Sequence, residues 1–264
     1  MTEFIDRQVK PQAGVDRIAL RGHTPARVGL KTAGTSLATT EILDLNLCLA
    51  EARDALHARI STASLLPQLT QRGWQPMVLK SAAQDRNEYL RRPDLGRQLS
   101  SGSRDLLEAH QAAPGKHSLA VVIADGLSAI AAERHAIPLL DALTPHLTSL
   151  KDAPLVIAEQ ARVAIGDEIG ERLKAELLLL LIGERPGLSS PDSLGAYITW
   201  APRIGRTDAE RNCVSNIRPE GLSYTHASEK IAHYLKAACQ GRLTGVDLKE
   251  DTVLLPNTGE DLKQ

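Results

Sequence analysis

The sequence predicts an α/β protein with a helical N-terminal domain and a Rossmann-like domain, whose mostly parallel sheet carries helices on both faces. Three observations favour this class. The 264 residues are enough to bury the core of one large or two modest domains. Apolar residues recur at helical spacing in the first part of the chain. From Ser118 onward, short apolar runs alternate with helical segments, which is typical of a parallel sheet.

The first part of the chain predicts an arm and three helices. Residues 1–35 show no apolar period, because RGHTPARVGLKTAGTS mixes Gly, Pro, Thr and basic residues, and we predict an irregular N-terminal arm. Residues 36–113 predict the helical domain. Its helices are TTEILDLNLCLAEARDALHARI, VLKSAAQDRNEYLRR and SRDLLEAHQAA, and the last of them stops before Pro114.

The second part, residues 114–264, predicts the Rossmann-like domain. Its strands are SLAVVIADGLS, APLVIAE, KAELLLLLIGE and GAYITWAP, with a further strand possible at Arg162–Ile165. The Leu-rich run is ambiguous between helix and strand, but six apolar residues that stop at Gly183 favour a strand. Between the first two strands, LSAIAAERHAIPLLDALTPHL has the spacing of a helix.

Composition limits the partners that the protein can have. The 31 basic and 32 acidic residues give a net charge of −1, which argues against nucleic acid as the main partner. Three cysteines without a CxxC pair predict a reduced, cytosolic chain. No apolar run approaches the roughly 20 residues that span a bilayer, so we expect no membrane segment.

A crowded polar loop, in LIGERPGLSSPDSLG, follows the run Leu177–Ile182. Ligands of open α/β sheets bind beyond the carboxyl ends of the strands, and this loop lies at such an end. Ser190 followed by Pro191 and Asp192 predicts the start of a helix, whose free N–H groups could hold a polar ligand. A turn and a capped helix without a ligand is the alternative, which this loop taken alone favours.

A second polar cluster strengthens the ligand hypothesis. The sequence from Thr207 to Glu210 predicts a capping box, and ERNCVSNIRPEGLSY follows it with several amide and hydroxyl side chains around Cys213. These neutral groups suit a large ligand rich in amides better than a polyphosphate. The carboxylates predicted at strand ends are the best candidates for ligand contacts, namely Asp125, Asp167 and Glu184.

Familiar catalytic motifs are absent from the sequence. There is no GxGxxG after a strand, no GxxxxGK[ST], no GxSxG, no HExxH and no Cys/His cluster. Dinucleotide, P-loop, serine-hydrolase and zinc sites of the standard kinds are therefore not predicted, and Cys213 is more often a packed residue than a nucleophile. The residues alone therefore predict a polar ligand site at strand ends and no more specific function.

Several stretches resemble the small subunit of ethanolamine ammonia-lyase, from about residue 14 to residue 250. The last two of them are long and specific. In chain order, the six stretches are TPARVGLKTAGTSLATTEILDL, ARDALH, DRNEYLRRPDLGRQLS, VVIADGLSA, LIGERPGLSSPDSLGAYITWAPR and DAERNCVSNIRPEGLSY.

The resemblance implies one subunit of a heteromeric, adenosylcobalamin-dependent radical lyase that converts ethanolamine to acetaldehyde and ammonia. It implies that a TIM-barrel large subunit carries the catalytic residues, that large–small pairs build the oligomer, and that the small subunit helps to enclose the cobalamin. The family's cobalamin contacts match Val163, Glu184 and Cys213 here. The implied location is the bacterial cytoplasm, with enclosure in an ethanolamine-utilisation microcompartment left open.

The sequence lacks DxHxxG, the motif that supplies a histidine to cobalt in other cobalamin enzymes. We therefore expect the cofactor to keep its own dimethylbenzimidazole, and Cys213 to be a contact and not a metal ligand. We expect two basic surfaces, Arg21–Gly34 and the four arginines of RNEYLRRPDLGR, to dock on the large subunit or on a neighbouring pair. A solvated basic loop is the alternative for both.

Two other functions stay open from the sequence. One is a non-catalytic regulatory or scaffold protein that binds a nucleotide through its Rossmann-like domain. The other is a hydrolase that uses Asp125 or Asp167, although that chemistry needs a metal cluster that the sequence does not display.

Overall fold

The fold was determined from a computed structural model of the chain. It describes residues 22–24, 26–110, 117–147 and 150–248. The chain divides into two compact units, Met1–Glu51 and Ala52–Gln264. Among the described residues, no helix has the length and apolar character needed to cross a membrane.

The first unit contains a short hairpin and the start of a long helix. Strands β1 (Thr32–Ala33) and β2 (Ser36–Leu37) pair antiparallel around Gly34, which has a φ of +64°. The hairpin therefore crosses the boundary predicted at residue 35: β1 lies in the segment predicted as an irregular arm and β2 at the start of the predicted helical domain, while residues 1–21 fall outside the described chain. Helix α1 (Thr39–His57) begins here and continues into the second unit.

The second unit is an α/β sandwich of one sheet and helices. Its elements are α2 (Thr62–Gln71), β3 (Met77–Lys80), α3 (Arg86–Arg91), α4 (Ser101–His110), β4 (His117–Ala124), α5 (Ala129–Leu143), β5 (Leu155–Glu159), α6 (Ile165–Arg172), β6 (Ala175–Gly183), β7 (Leu194–Trp200), β8 (Asn212–Ile217) and α7 (Tyr224–Gly241).

Six strands form the sheet in the order β3-β5-β4-β6-β7-β8. The pairs among β3, β5, β4 and β6 are parallel, whereas β7 is antiparallel to both β6 and β8. Since two reversals cancel, β7 is the one strand of this sheet that runs against the others. The α/β class is confirmed, with a mixed sheet, and the Rossmann-like description stays a prediction.

Helices cover both faces of the sheet, as the sequence predicts. Along β6, Leu179 and Leu181 pack into a buried cluster with residues of α2, α5 and α7. The alternate residues Leu178 and Leu180 pack into a second cluster with residues of α4 and α6. Because a strand between two helical layers is buried on both sides, its sequence is a continuous apolar run and does not alternate.

Two of the predicted secondary-structure elements are wrong, one in part of its length and the other throughout. The segment VLKSAAQDRNEYLRR is not one helix: residues 77–80 form β3, whose buried Leu79 pairs with Ala158 of β5, and only Arg86–Arg91 is helical. Segment 36–113 therefore supplies a strand to the sheet as well as helices. The possible strand at Arg162–Ile165 is a turn that leads into α6.

The helix predicted at Ser190 does not form. Residues 184–193 are a loop between two antiparallel strands, and Asp192, predicted for the first turn of a helix, binds the side of α5. Its carboxylate lies 2.9 Å from the guanidinium of Arg134 and 3.4 Å from Nε2 of His135. The local capping signal is overridden because β7 continues the sheet beside β6.

Candidate functional site

A groove opens where the strands reach the carboxyl edge of the sheet. A cavity of about 280 Å³ lies beside the ends of β4 and β6, and Val163, Glu184 and Tyr197 are among its lining residues. A second cavity of about 460 Å³ shares Val163 and Tyr197 with it and extends toward Arg206 and Asp208. The two cavities therefore form one groove along this edge, where open α/β sheets hold their ligands.

Two glycines allow the floor of the groove to be built from backbone. A Cβ on Gly183 would lie 1.9 Å from the carbonyl oxygen of Ser128, and one on Gly126 would lie 2.1 Å from that of Gly183. Gly126 also has a φ of +55°, a backbone conformation that residues with a Cβ rarely adopt. The main-chain N–H of Leu127 donates to the carbonyl of Gly183 at 2.9 Å, so the ends of β4 and β6 are fixed together.

Glu184 follows β6 directly and joins three parts of the edge. Its main-chain N–H donates to the carbonyl of Ser193 at 2.9 Å. Its Oε2 atom accepts the hydroxyl of Ser193 and the main-chain N–H of Asn216, the latter at 3.2 Å. A Cβ on Gly195 would lie only 3.0 Å from Oε1, so the carboxylate lies close against β7.

Glu184 is therefore held by neutral donors. Within the described chain, it forms no ion pair with Arg185, the next residue, or with Arg203. Oε2 accepts both side-chain bonds, so Oε1 keeps its acceptor capacity in a residue that lines the groove.

Cys213 lies in β8 and does not follow a strand end. The sheet register places it opposite Tyr197 of β7, so their side chains share one face of the sheet. Its side chain is exposed, yet partial desolvation by the surrounding chain raises the pKa of the thiol, and the charge of Glu184 raises it further. The hydroxyl of Tyr197 acts in the opposite direction and lowers the pKa of the thiol.

Val163 lies in the turn between β5 and α6. Its side chain is half-buried and packs against the core on the α6 side of the sheet. Its carbonyl accepts the main-chain N–H of Gly166 at 3.1 Å, which holds the turn. Val163 and Glu184 thus line one cavity, and Cys213 adjoins them through Tyr197, which the sequence analysis did not single out.

The other two predicted carboxylates are engaged in the interior. Asp125 is fully buried and accepts the main-chain N–H groups of Gln160 and Ala161, each at 2.9 Å. Burial raises its pKa to about 6, against the effect of these bonds and of Arg86. Asp167 lies inside α6, not at a strand end, and forms a buried ion pair with Arg211. Only Glu184 of the three carboxylates faces the groove.

An open polar groove at the carboxyl edge of the sheet is the place where proteins of the α/β class bind their ligands. A family model described as "Ethanolamine ammonia-lyase light chain (EutC)" matches residues 16–249. Three relatives are each named "Ethanolamine ammonia-lyase small subunit". That of Azotobacter vinelandii is 52% identical over 88% of this chain and 87% of its own. Those of Pseudomonas fluorescens and Pseudomonas aeruginosa are each 49% identical, over 93% and 92% of this chain and 92% and 90% of their own.

The chain belongs to the family of the ethanolamine ammonia-lyase small, or light, subunit. The name of this family is that of one subunit of a lyase. The resemblance drawn from the sequence motifs is thereby confirmed.

Proposed function

We propose that the protein is the small subunit of an adenosylcobalamin-dependent ethanolamine ammonia-lyase, and that its groove holds part of the cobalamin against a large subunit. The observation that carries this proposal is the meeting of Val163, Glu184 and Cys213 around Tyr197, although they belong to three separate segments of the chain. These are the three positions at which the family resemblance implies cobalamin contacts.

The donor set of the groove suits a corrin with amide arms. Oε1 of Glu184 is an acceptor for an amide N–H, and a charged acceptor strengthens such a bond. Val163 offers an apolar contact, and Cys213 offers a thiol that its raised pKa keeps protonated at neutral pH. Arg162 also lines the groove. Its buried Nε atom has no hydrogen-bond partner among the described residues, so the guanidinium has unused donor capacity.

The chain's own residues bind and orient; they do not carry out the chemistry. Bound adenosylcobalamin supplies radical chemistry, by which ethanolamine is converted to acetaldehyde and ammonia. We assign no catalytic residue to this chain and place the catalytic residues on the large subunit. The rigid backbone floor at Gly126 and Gly183 and the anchored Glu184 fix the orientation of the cofactor.

We propose that the exposed arginines at the end of α3 and after it dock on the large subunit, in the bacterial cytoplasm. Arg91, Arg92 and Arg97 are exposed, whereas Arg86, the fourth arginine of the same motif, is only 3% exposed and cannot take part. The same role is proposed for Arg21–Gly34, of which Arg21 and Pro25 lie outside the described residues.

The test is co-purification of the chain with the large subunit, followed by equilibrium titration with cyanocobalamin and a visible spectrum. We expect the complex to bind the corrin and, with adenosylcobalamin, to deaminate ethanolamine. The isolated chain should show no deamination. Deamination by the isolated chain, or a complex that binds no corrin, would contradict the proposal, and preferential binding of a nucleotide would favour the regulatory alternative.

A further inference from the structure

Two arginine guanidiniums lie at cation–π distance from the ring of one buried tyrosine. Tyr89 is fully buried, and its ring centroid lies 4.7 Å from Cζ of Arg86 and 4.3 Å from Cζ of Arg162. Its hydroxyl donates to the carbonyl of Ala161 at 3.1 Å. Cation–π contacts of this kind hold a guanidinium in a fixed orientation. Tyr89 therefore links α3 to the turn that carries Val163.

Arg162 is also held by its own main chain. Its N–H donates to the carbonyl of Gly96 at 2.8 Å. A Cβ on Gly96 would lie 2.9 Å from both Cγ of Arg162 and Cε2 of Tyr89, so only glycine leaves room for this stack. The position of the Arg162 guanidinium is thus set before any ligand binds.

The two arginines differ in what neutralises them. Arg86 lies 3.5 Å from the carboxylate of Asp125 and donates to the carbonyls of Leu56 and Gly126 at 2.8 and 2.9 Å. Within the described chain, Arg162 has no carboxylate at ion-pair distance, and its one side-chain hydrogen bond is a long one of 3.4 Å to the carbonyl of Tyr89. Its buried Nε has no partner there. A buried donor without a partner is unfavourable, and a ligand acceptor that bonds it would remove this cost.

The lining of the groove around Arg162 holds more arginines than carboxylates. Arg162 lines both cavities of the groove. The larger cavity is also lined by Arg97 and Arg206, with Asp208 as the acidic residue among its described lining residues. Asp208 is already paired with Arg211 at 3.2 Å. Arg206 is paired with Glu210, and Glu184 lines the smaller cavity, so the larger cavity is the part of the groove that offers an anionic group a fixed guanidinium with Arg97 nearby.

We propose that Arg162 binds the phosphodiester of the nucleotide tail of cobalamin, an inference that rests on the proposed function. The amide arms of the corrin are neutral, so the phosphodiester is the group of this cofactor that matches an unneutralised guanidinium. Guanidinium groups suit the geometry of phosphate oxygens and bind them with charge-assisted hydrogen bonds. Arg162 is thus a positioning residue that sets the nucleotide tail relative to the contacts of Val163.

The test compares three corrins in visible titrations of the complex with the large subunit: cobinamide, cobinamide phosphate and cyanocobalamin. For the wild type, the phosphate should raise the affinity above that of cobinamide. Arg162→Gln should bind cyanocobalamin and cobinamide phosphate about 10- to 100-fold more weakly, the range for a lost charge-assisted bond. It should bind cobinamide as the wild type does, which also shows that the groove is still folded.

Two further variants sharpen the comparison. Arg162→Lys keeps the charge without the planar guanidinium, and it should retain part of the affinity that the phosphate adds. Arg53→Gln removes one positive charge from an exposed side chain and should change none of the three affinities. Equal affinities of Arg162→Gln and the wild type for all three corrins, or an equal loss for all three, would overturn the role of Arg162 alone. A wild-type complex that binds none of the corrins would overturn this role and the proposed function together.

Discussion

The carboxylate of Glu184 accepts the main-chain N–H of Asn216 at 3.2 Å, so a side chain at the end of β6 is bound to the far strand β8. The same oxygen accepts the hydroxyl of Ser193, which is only 4% exposed. One carboxylate thus fixes the loop after β6 and the edge strand, in a residue that also lines the groove. Any change at Glu184 therefore acts on both stability and ligand binding, and the two effects can be separated.

Replacing Glu184 by Gln should lower both the free energy of unfolding and the affinity for the corrin, but by different amounts. Gln keeps an oxygen acceptor and loses the charge, which weakens the bonds to Ser193 and Asn216; we expect a loss of about 1 kcal/mol in the free energy of unfolding. Glu184→Ala should cost about 2–3 kcal/mol, because it leaves the buried hydroxyl without its acceptor. Denaturant unfolding measures both losses.

Titration of the complex with cyanocobalamin measures the affinity for the corrin. Glu184→Gln should bind the corrin about tenfold or more weakly, since a charged acceptor is lost. Glu229→Gln, on the exposed side of α7, is the matched control and should change neither quantity. An unchanged corrin affinity together with reduced stability would make Glu184 purely structural.

The thiol of Cys213 should report the charge of Glu184. Because the pKa of Cys213 is raised, its rate of alkylation by iodoacetamide should keep rising with pH above the range in which an ordinary thiol levels off. Glu184→Gln removes a charge that raises this pKa, so the profile should move to lower pH. Tyr197→Phe removes a hydroxyl that lowers it, so the profile should move to higher pH.

Peptide mass spectrometry of the alkylated chain measures both profiles at Cys213, with exposed Cys239 in the same sample as the internal control. Neither variant should change the profile of Cys239. Shifts of Cys213 in the same direction for both variants would contradict the arrangement of the three residues described above.

The glycine floor of the groove should be the most sensitive backbone in the sheet edge. In Gly183→Ala the new Cβ would lie 1.9 Å from the carbonyl oxygen of Ser128, and the clash is with backbone that cannot move aside. We expect a loss of at least about 3 kcal/mol in the free energy of unfolding. Gly102→Ala is the control, because nothing lies within 4 Å of its Cβ. Because Gly102 lies in a helix, Gly102→Ala should leave the free energy of unfolding unchanged or raise it by about 0.5 kcal/mol. Equal effects of the two variants in thermal unfolding would contradict the close packing of Gly183 against the backbone of Ser128.

The strands at the centre of the sheet could be predicted from the sequence, whereas the short edge strand β3 could not. Strands β6 and β7 have nine and seven residues, and their apolar stretches stop at clear breaks. β3 has four residues, and its sequence continues without a break into residues of helical spacing. The pairing of Leu79 with Ala158 decides its structure, and this partner is distant in the sequence.

The same difference applies to the site. Glu184 could be predicted because a polar loop after a buried run marks the edge of a sheet. The stack of Arg162 on Tyr89 joins residues 73 positions apart, and neither has a local pattern that marks it. The helix at Ser190 was predicted from a capping signal that is correct in type, but the antiparallel pairing of β7 with β6 overrides it.

The buried ion pair of Asp167 and Arg211 should be far more important for stability than the second ion pair of the same arginine. The side chains of Asp167 and Arg211 are each 2% exposed, whereas Asp208, which also pairs with Arg211, is 93% exposed. Asp167→Asn leaves the guanidinium buried beside a neutral group, and removing one partner of a buried pair costs about 3–5 kcal/mol. Asp208→Asn removes the same charge from an exposed partner, and such pairs are worth about 0–1 kcal/mol. Denaturant unfolding of the two variants compares them directly. Similar losses for both, or a larger loss for Asp208→Asn, would show that Asp167 does not neutralise Arg211 in the folded protein.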